Sequence, residues 1–284
     1  MSPLKFNYLF FIKNHIYYLL FLEASERTPK FSLYMPDSYK GIFINTTKGT
    51  HKEVYNLIKH DTEKSVVDIP SGRGAFILRL KDNGFSNVTG VDIEDISQIE
   101  HDDFVLGDMT KRLPLESASK DIVVCIDGIE HIYGQASFVE EVNRSLKIGG
   151  SVIISTPNIS SIRSRWRWFW TGHHYKCSSP LDERNPTPLH HVGMISFHEL
   201  RYLLHTRGFE IEQISTNRIK LISWLYMVFV PLVCLSTIWI YKKTGPREGT
   251  VEVNRSMLSQ VFNMNVLFGE TLIVKAVKRR DLGG

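Results

Sequence analysis

The most constraining feature of the 284-residue chain is a regular alternation of short apolar strands with helices, which begins near Ser65. Strands are predicted over residues 65–69, 88–91, 104–106, 121–125, 151–155, 209–214 and 270–277. Helices are predicted between them over residues 75–83, 138–146 and 196–206. Strands that alternate with helices favour a parallel sheet covered by helices on both faces, so the pattern predicts an α/β fold. The length is enough for one large domain of this kind with insertions.

The predicted ends of these helices follow from local signals. A capping box at Ser196 and Glu199 opens the last helix, and the same pattern at Thr50 and Glu53 predicts an earlier helix through Lys59. A glycine pair at 149–150 is expected to stop the helix over 138–146. The domain is therefore predicted to span residues 50–280, with a substrate lid over 158–195 and an apolar, membrane-contacting insertion over 217–250.

Residues 1–49 are predicted to form a separate N-terminal segment, apolar at first and then polar. Its stretch 4–22 is rich in Phe, Tyr, Leu and Ile, but Lys13 interrupts it at the centre. A lysine at mid-bilayer costs about 3 kcal/mol on insertion scales. The stretch is therefore expected to be a helix that packs on the domain or lies on a membrane.

Charge and cysteine content exclude some classes of function. The formal net charge of +4 comes without a long basic stripe, which disfavours a nucleic-acid partner and suits an anionic membrane surface. The cysteines Cys125, Cys177 and Cys234 are few, odd in number and widely spaced. They favour a reducing, cytoplasmic compartment over a disulfide framework.

Residues 68–74, DIPSGRG, follow the first strand and open a helix. Glycine at 72 allows close approach of a ligand to the backbone, and glycine at 74 lets the helix begin near the sheet. Free amides at such a helix start bind polar ligand groups. Asp92 ends the next strand, where a carboxylate can accept hydrogen bonds from both ribose hydroxyls. A dinucleotide fingerprint would need glycine where Ile77 stands, so the motif favours a methyl donor over a dinucleotide or a chance turn.

Four stretches within residues 66–158 resemble the class I S-adenosylmethionine-dependent methyltransferases of the small-molecule type: VVDIPSGRGAF, VTGVDIED, LPLESASKDIVVCIDGIEHI and SLKIGGSVIISTPN. HVGMISFHELRYLLHTRGFEIE resembles the helix and strand that follow in that family. The chain departs from the family at Pro70, which is commonly glycine, and at Ile148, which is commonly proline. The resemblance implies a Rossmann-like seven-stranded sheet in the order 3-2-1-4-5-7-6, with the last strand antiparallel, and S-adenosyl-L-methionine as cofactor.

The resemblance also implies roles for residues at matching positions. The cofactor-binding residues would be Asp68, Pro70, Ser71, Gly72, Gly74, Asp92, Ile93, Asp108, Met109 and Asp127. Asp68, Gly72 and Gly74 would line the methionine part of the cofactor, and Asp92 would hold the ribose. Asp108 and Met109 would frame the adenine, and Asp127 would lie near the methyl group.

Two histidines are candidates for the chemistry. Methyl transfer is an in-line displacement that depends on alignment, and a hydroxyl acceptor also benefits from a general base. His131 follows the fourth strand at the mouth of the expected site, and His191 precedes the second capping box. The spacing of Asp127, Glu130 and His131 resembles that of ubiquinone-biosynthesis O-methyltransferases, where a divalent metal can sit. Here Glu130 and His131 are expected to organise the loop, and no metal is predicted.

Residues 221–241 carry no charge and have basic residues on both sides. As one helix they would extend about 30 Å, enough to cross a bilayer. A single crossing would separate the sixth strand from the seventh, and the basic flanks place both ends on the cytoplasmic side. Pro231 can break the helix. The hypothesis is a shallow helical hairpin or a bent helix lying in the membrane interface; the alternative is a buried cap on the domain.

These patterns predict a methyltransferase at the cytoplasmic face of a membrane that O-methylates a lipid-like or lipid-linked acceptor. A polyprenyl-borne sugar, a quinol precursor or a glycolipid would each fit. The aromatic and basic cluster over residues 163–170 would add interfacial contacts or form the substrate lid. Two alternatives stay open: a soluble small-molecule methyltransferase with a buried insertion, and a methyltransferase-like scaffold without catalysis.

Overall fold

The computed structural model describes residues 37–99, 104–175, 181–243 and 250–282. The stretch 4–22, for which a helix was expected, and Cys177 lie outside the described residues. The strands are β1 (Ser38–Tyr39), β2 (Ile42–Phe43), β3 (Val66–Asp68), β4 (Val88–Asp92), β5 (Phe104–Leu106), β6 (Lys120–Ile126), β7 (Leu146–Pro157), β8 (Phe209–Ser215) and β9 (Thr271–Lys278). The helices are α1 (Thr50–Asn56), α2 (Ala75–Asp82), α3 (Gln135–Ser145), α4 (Ile162–Thr171), α5 (Phe197–Thr206), α6 (Val230–Lys243), α7 (Thr250–Val261) and α8 (Met264–Phe268).

Strands β3 to β9 form one sheet in the order β5-β4-β3-β6-β7-β9-β8, and β9 is antiparallel to both of its neighbours. Counted from the first strand of this sheet, that is the predicted order 3-2-1-4-5-7-6, which is therefore confirmed. Side chains alternate between the faces of a strand. Val66 accordingly packs in the apolar cluster on one face of the sheet and Val67 in the cluster on the other. Burial on both faces explains why the central strands read as continuous apolar runs.

One of the two predicted capping boxes forms. The hydroxyl of Ser196 accepts a hydrogen bond from the backbone N–H of Glu199, and the Glu199 carboxylate accepts one from the backbone N–H of Ser196. This box opens α5, as predicted.

The prediction of a capping box at Thr50 and Glu53 was wrong. The residue before α1 is Gly49, with φ of +90°, and Thr50 is already helical. The Thr50 hydroxyl donates to the backbone oxygen of Thr47 at 2.7 Å, and the Glu53 carboxylate accepts a hydrogen bond from the hydroxyl of Ser215 on β8. The Glu53 carboxylate therefore connects α1 to the sheet. It is not available to cap the helix, because it binds Ser215 instead.

The glycine pair at 149–150 lies within β7 and does not stop the preceding helix. Helix α3 ends at Ser145, and β7 begins at Leu146, which pairs with Lys120 on β6. Strand β7 is thus longer than the predicted 151–155. Pairing with β6 extends it backwards through glycines that local propensity assigns to a turn.

A small hairpin of β1 and β2 precedes α1 and was not predicted. Gly41, with φ of +87°, lies in its turn, and Ile42 and Ile44 pack against Ala75 of α2. The compact unit that contains the sheet begins at Asp37. The hairpin therefore belongs to the same unit as the sheet. Its short, mostly polar sequence did not indicate this.

An apolar helix lies between β8 and β9, as predicted. A 3-10 segment, Leu221–Phe229, continues directly into α6, and Pro231 occupies the first turn of α6. Proline is tolerated there because the first-turn N–H has no helical partner. Of the two predicted shapes, a hairpin or a bent helix, the hairpin therefore does not form. Among the described residues, Leu221–Lys243 is long and apolar enough to cross a membrane, and 6% of its most apolar 18-residue window is buried. The helix is therefore not a buried cap on this unit.

Candidate cofactor and acceptor site

The acidic residues expected to bind the cofactor lie at one edge of the sheet. Asp68 ends β3, Asp92 ends β4, and Asp127 follows β6. These three strands are parallel to one another, so their carboxyl ends meet at the same edge. Ligands of open α/β sheets bind at this edge.

The glycine loop between β3 and α2 is tied to the end of β4. The backbone N–H of Gly72 donates to Oδ2 of Asp92 at 2.7 Å, and the N–H of Ile93 donates to Oδ1 at 2.7 Å. Gly72 has φ of +52°, and a Cβ there would meet no atom within 4 Å. Gly74 has φ of +84°, and its Cβ would come within 2.8 Å of the Ile99 side chain. Gly72 thus faces open space that a ligand can use, whereas Gly74 allows close packing.

Asp68 is a buried carboxyl group at the centre of this edge. Within the described residues, its Oδ1 and the hydroxyl of neighbouring Ser71 have no hydrogen-bond partner. Burial, and then the charge of Asp92, raise the pKa of Asp68 well above its usual range. Buried polar groups usually have hydrogen-bond partners, so these two groups are suited to contact a ligand at this edge. A cationic group such as the ammonium of a methionine moiety fits this position.

The residues expected around the adenine differ in their surroundings. Asp108 follows β5, and its carboxylate accepts hydrogen bonds from the N–H and hydroxyl of Thr110 and pairs with Lys111 at 3.1 Å. Burial alone would raise the pKa of Asp108, but these partners hold it below its usual value. Met109 packs in the core, whereas Ile93 is 52% exposed at the end of β4. Their contact with adenine stays a prediction.

Asp127 is held by Ser155, at the next strand of the sheet. Its N–H lies 2.9 Å from the Ser155 hydroxyl, which donates to Oδ1 of Asp127 at 2.6 Å. Asp127 has φ of +46°, a left-handed conformation that aspartate tolerates better than most residues. The two side chains therefore keep a strained turn just beyond the end of β6, where methyl transfer is expected.

The predicted catalytic residues, His131 and His191, lie together. Their ring centroids are 4.8 Å apart, at an interplanar angle of 70°. Nδ1 of His131 lies 3.2 Å from the backbone oxygen of His190. A carbonyl only accepts, so Nδ1 carries the proton in that hydrogen bond and the lone pair is left on Nε2. The geometry thus orients His131 as a proton acceptor.

Glu130 lies beside this pair and is fully buried. Burial, and then the charge of Asp127, raise the pKa of Glu130 well above its usual range. A carboxylate oxygen of Glu130 and one ring nitrogen each of His131 and His191 lie within 4.8 Å of one another. A divalent cation at this point would be held by one carboxylate and two imidazoles, a donor set that many transition metals accept.

Three residues with structural roles at the site were missed by sequence reasoning. A Cβ on Gly90 would overlap the Ile77 side chain, and a Cβ on Gly128 would overlap the ring of Pro70. The side-chain amide of Asn158 donates to the backbone oxygens of Val266 and Gly269, both at 3.0 Å. The glycines stand out only through tertiary packing. Asn158 follows the fifth predicted strand, and its position at that strand end was the available signal.

Comparison with known proteins assigns the family. A family model described as a methyltransferase domain matches residues 50–214, more than half of the chain. The chain belongs to this family. Together with the sheet order, the match makes it a class I S-adenosylmethionine-dependent methyltransferase with S-adenosyl-L-methionine as cofactor. The predicted class and cofactor are thus confirmed.

Individual relatives match shorter stretches of this methyltransferase. It is 37% identical over 101 residues to a probable S-adenosylmethionine-dependent methyltransferase of Mycolicibacterium smegmatis, covering 36% of this chain and 33% of that protein. It is 28% identical over 108 residues to a ubiquinone biosynthesis O-methyltransferase of Pseudomonas aeruginosa, covering 34% of this chain and 45% of that protein. The chain thus spans less than half the length of these curated relatives.

A solved structure agrees in fold. The crystal structure of a proposed methyltransferase from Bacillus halodurans is similar to this methyltransferase with a TM-score of 0.50 and 18% identity. The similarity covers 81% of this chain and 99% of that chain. At this identity the likeness extends to the fold alone.

Proposed function

We propose that this methyltransferase O-methylates a lipid-like or lipid-linked acceptor at the cytoplasmic face of a membrane, where the apolar helix Leu221–Lys243 docks in the interface. The observation that carries the proposal is an exposed apolar stripe along the outer face of this helix. The residues of the stripe are Leu221, Leu225, Val228, Leu232, Leu235 and Trp239, each between 61% and 88% exposed. A continuous exposed apolar surface on a soluble unit favours contact with a partner or a membrane.

The opposite face of the apolar helix rests on the methyltransferase unit. Trp224 stacks on Phe268 with ring centroids 5.6 Å apart, and Phe229 stacks on Trp166 of α4 at 4.9 Å. Near the end of the helix, the hydroxyl of Tyr241 lies 3.0 Å from Nε2 of His198 on α5. The helix therefore lies along the unit instead of projecting from it.

This placement favours an interfacial helix over a spanning one. Strands β8 and β9, which flank the helix in sequence, pair directly with each other, for example at Ser215 and Ile273. Both ends of the helix must stay on the side of the membrane that holds the sheet. A helix that lies parallel to the surface satisfies this requirement and buries its outer stripe in the headgroup and acyl boundary.

Basic and aromatic residues near the helix suit an anionic lipid surface. Lys242 and Lys243 end the helix, and the ammonium of Lys243 lies 5.1 Å from the ring centre of Trp239. Four aromatic rings of α4 are exposed: Trp166, Trp168, Phe169 and Trp170. Tryptophan rings and lysines are enriched where protein meets the headgroup layer. The charge and the aromatic content thus point to lipid as the occupant of the stripe.

The chemistry at the sheet edge suits a hydroxyl acceptor. S-adenosylmethionine supplies the sulfonium methyl, so the chain has to align the acceptor oxygen and remove its proton. His131, with Nε2 as the proton acceptor, and His191 beside it are the residues proposed for that removal. The likeness to a ubiquinone biosynthesis O-methyltransferase supports an oxygen acceptor.

Vesicle flotation of the full chain tests the membrane contact. Wild type is expected to float with vesicles that contain anionic phosphatidylglycerol. The triple variant Leu225→Gln, Leu232→Gln, Leu235→Gln is expected to lose at least tenfold in binding while it still binds S-adenosylhomocysteine. Ile148→Gln, an exposed apolar residue at the opposite edge of the sheet, serves as the control and should float like wild type.

Two results would overturn this proposal. Flotation of the triple variant at the wild-type level would place any membrane contact elsewhere. A wild type that stays unbound but forms dimers that the triple variant abolishes would assign the stripe to a second copy of the chain.

Methyl transfer to membrane extracts tests the acceptor class. With S-adenosylmethionine labelled in its methyl group, label is expected in the organic-soluble fraction, and Asp92→Ala is expected to reduce it strongly at low cofactor concentration. Mass spectrometry of the labelled product should place the methyl group on oxygen. A methyl group on nitrogen or carbon, or label confined to water-soluble products, contradicts the proposal.

A further inference from the structure

A cavity of about 470 Å³ lies between α4 and α5 and is not part of the predicted cofactor site. Ile159 and Ser160, which follow β7 directly, form one of its walls. Helix α5 begins beside it, where the N–H of Phe197 donates to the Ser160 hydroxyl at 2.7 Å. The cavity therefore opens at the edge of the sheet that carries Asp68, Asp92 and Asp127, where an acceptor has to reach the methyl group.

The guanidinium of Arg165 contributes to the lining of this cavity and is half-buried. Across the residues that the structure describes, its side chain has no hydrogen bond or ion pair, and burial alone lowers its pKa. A buried cation without a partner is costly, and natural proteins usually pair it. A ligand that brings an anion would remove this cost.

The other polar groups of the cavity define which anion fits. His174 and His198 have pKa values lowered mainly by burial, so both rings are neutral near pH 7 and add no charge to the cavity. Glu199 also lines the cavity, with its carboxylate held by the backbone N–H of Ser196 at 2.8 Å. The guanidinium can balance one negative charge, whereas the Glu199 carboxylate repels negative charge, so the cavity disfavours a doubly charged oxyanion more than a singly charged one.

The cavity is joined to the apolar helix on two sides. Trp166, the neighbour of Arg165 on α4, stacks on Phe229 of the helix. His198, on the opposite wall, meets Tyr241 near the end of the helix. An acceptor with its apolar part along the helix can thus place its polar head in the cavity.

We infer that Arg165 and the α4–α5 cavity form an acceptor subsite that binds a carboxylate or another singly charged oxyanion on the methyl acceptor. The inference rests on the proposed function in that the cavity is taken as part of the acceptor site. A planar guanidinium binds a carboxylate with two parallel hydrogen bonds, which gives orientation as well as affinity. The subsite would hold the acceptor in register for transfer, and Arg165 would act as a positioning residue.

Ligand-observed NMR titrations test this subsite with soluble probes, in the presence of S-adenosylhomocysteine. Benzoate, its neutral isostere benzamide and the dianion phenyl phosphate are compared on the full chain. We expect wild type to bind benzoate at least tenfold more tightly than benzamide. Arg165→Gln should lose this preference, and Arg165→Lys should keep only part of it because a single ammonium cannot form the two parallel bonds.

Arg167→Gln is the matched control, because Arg167 lies on the same helix and does not line the cavity. It should bind benzoate like wild type, and all variants should bind S-adenosylhomocysteine equally, which shows that they are folded. No preference for benzoate in wild type, or a preference that survives Arg165→Gln, would overturn the subsite. If phenyl phosphate binds more tightly than benzoate and this binding depends on Arg165, the assignment of a singly charged ligand is overturned. Neither result depends on vesicle binding. A failure of the membrane proposal would appear in the flotation experiment and not in these titrations.

Discussion

The backbone N–H of Gly72 donates a 2.7 Å hydrogen bond to Oδ2 of Asp92, which joins the glycine loop after β3 to the end of β4. The second oxygen of the same carboxylate accepts from the N–H of Ile93. Asp92 is thus fixed in position by two amides, and each oxygen keeps a further lone pair for a ribose hydroxyl. A carboxylate held in advance binds a ligand without the entropic cost of ordering it.

Asp92→Ala is expected to weaken S-adenosylhomocysteine binding by roughly 10- to 100-fold, because hydrogen bonds to a charged group contribute about 1.5–3 kcal/mol. Calorimetric titration measures the loss. Glu94→Ala, two residues further along in an exposed position, should bind like wild type. Unchanged affinity in a folded Asp92→Ala protein would remove Asp92 from the cofactor site.

Asp68 is expected to release protons when the cofactor product binds. Burial raises the pKa of Asp68 well above its usual range, which favours the protonated carboxyl in the free protein. A nearby ammonium group lowers that pKa and ionises the carboxyl. Titration of S-adenosylhomocysteine in buffers of different ionisation enthalpy measures the release. Asp68→Asn should abolish it, and a release that persists in this variant would contradict the assignment.

His51 is expected to make the protein less stable in acid. It is buried on α1 with its ring 5.3 Å from that of Phe76, and burial, together with the charge of Arg79, lowers its pKa to about 3. The unfolded chain gains a proton near the ordinary histidine pKa of about 6.5, whereas the folded chain does not. The stability present above that pH is therefore lost as pH falls from about 6.5 towards 3, by up to about 1.4 kcal/mol per pH unit.

Chemical denaturation at pH 7.5 and pH 5.5 measures this loss. His51→Leu removes the titrating group and should reduce the difference between the two conditions. An equal difference in wild type and variant would show that other groups control the acid sensitivity.

Gly128→Ala is expected to destabilise the protein and to weaken cofactor binding. A Cβ at this position would overlap the ring of Pro70, and overpacking of this kind typically costs about 1–3 kcal/mol. Displacement of Pro70 would also shift the glycine loop. Thermal unfolding with and without S-adenosylhomocysteine measures both effects.

Gly134→Ala is the control for this steric effect, because a Cβ there would meet no atom within 4 Å. It should unfold at the wild-type temperature. A Gly128→Ala protein with wild-type stability would mean that the end of β6 can move away from Pro70.

Much of the fold followed from signals between near neighbours in the chain. Alternating strands and helices, the capping box at Ser196 and the glycine loop after β3 depend on residues a few positions apart. The acidic residues at the strand ends could be placed because parallel strands end at a common edge. The resemblance to class I methyltransferases supplied the antiparallel last strand and the expected roles of the site residues.

Other features depended on contacts between residues far apart in sequence. Glu53 binds Ser215 on β8 instead of capping α1, Gly128 is needed beside Pro70, and His131 meets His191 across a loop. Hydropathy alone did not separate a buried cap from an exposed helix.

The sequence by itself thus determined the alternation of strands and helices, the glycine loop and the acidic residues at the edge of the sheet, because periodicity and turn chemistry are local properties; the order of the sheet came from the family resemblance. Only the tertiary structure decided which face of the apolar helix is exposed and that Arg165 lines a cavity without a partner among the described residues. Both depend on which distant surfaces pack together, and that depends on shape and burial across the whole molecule.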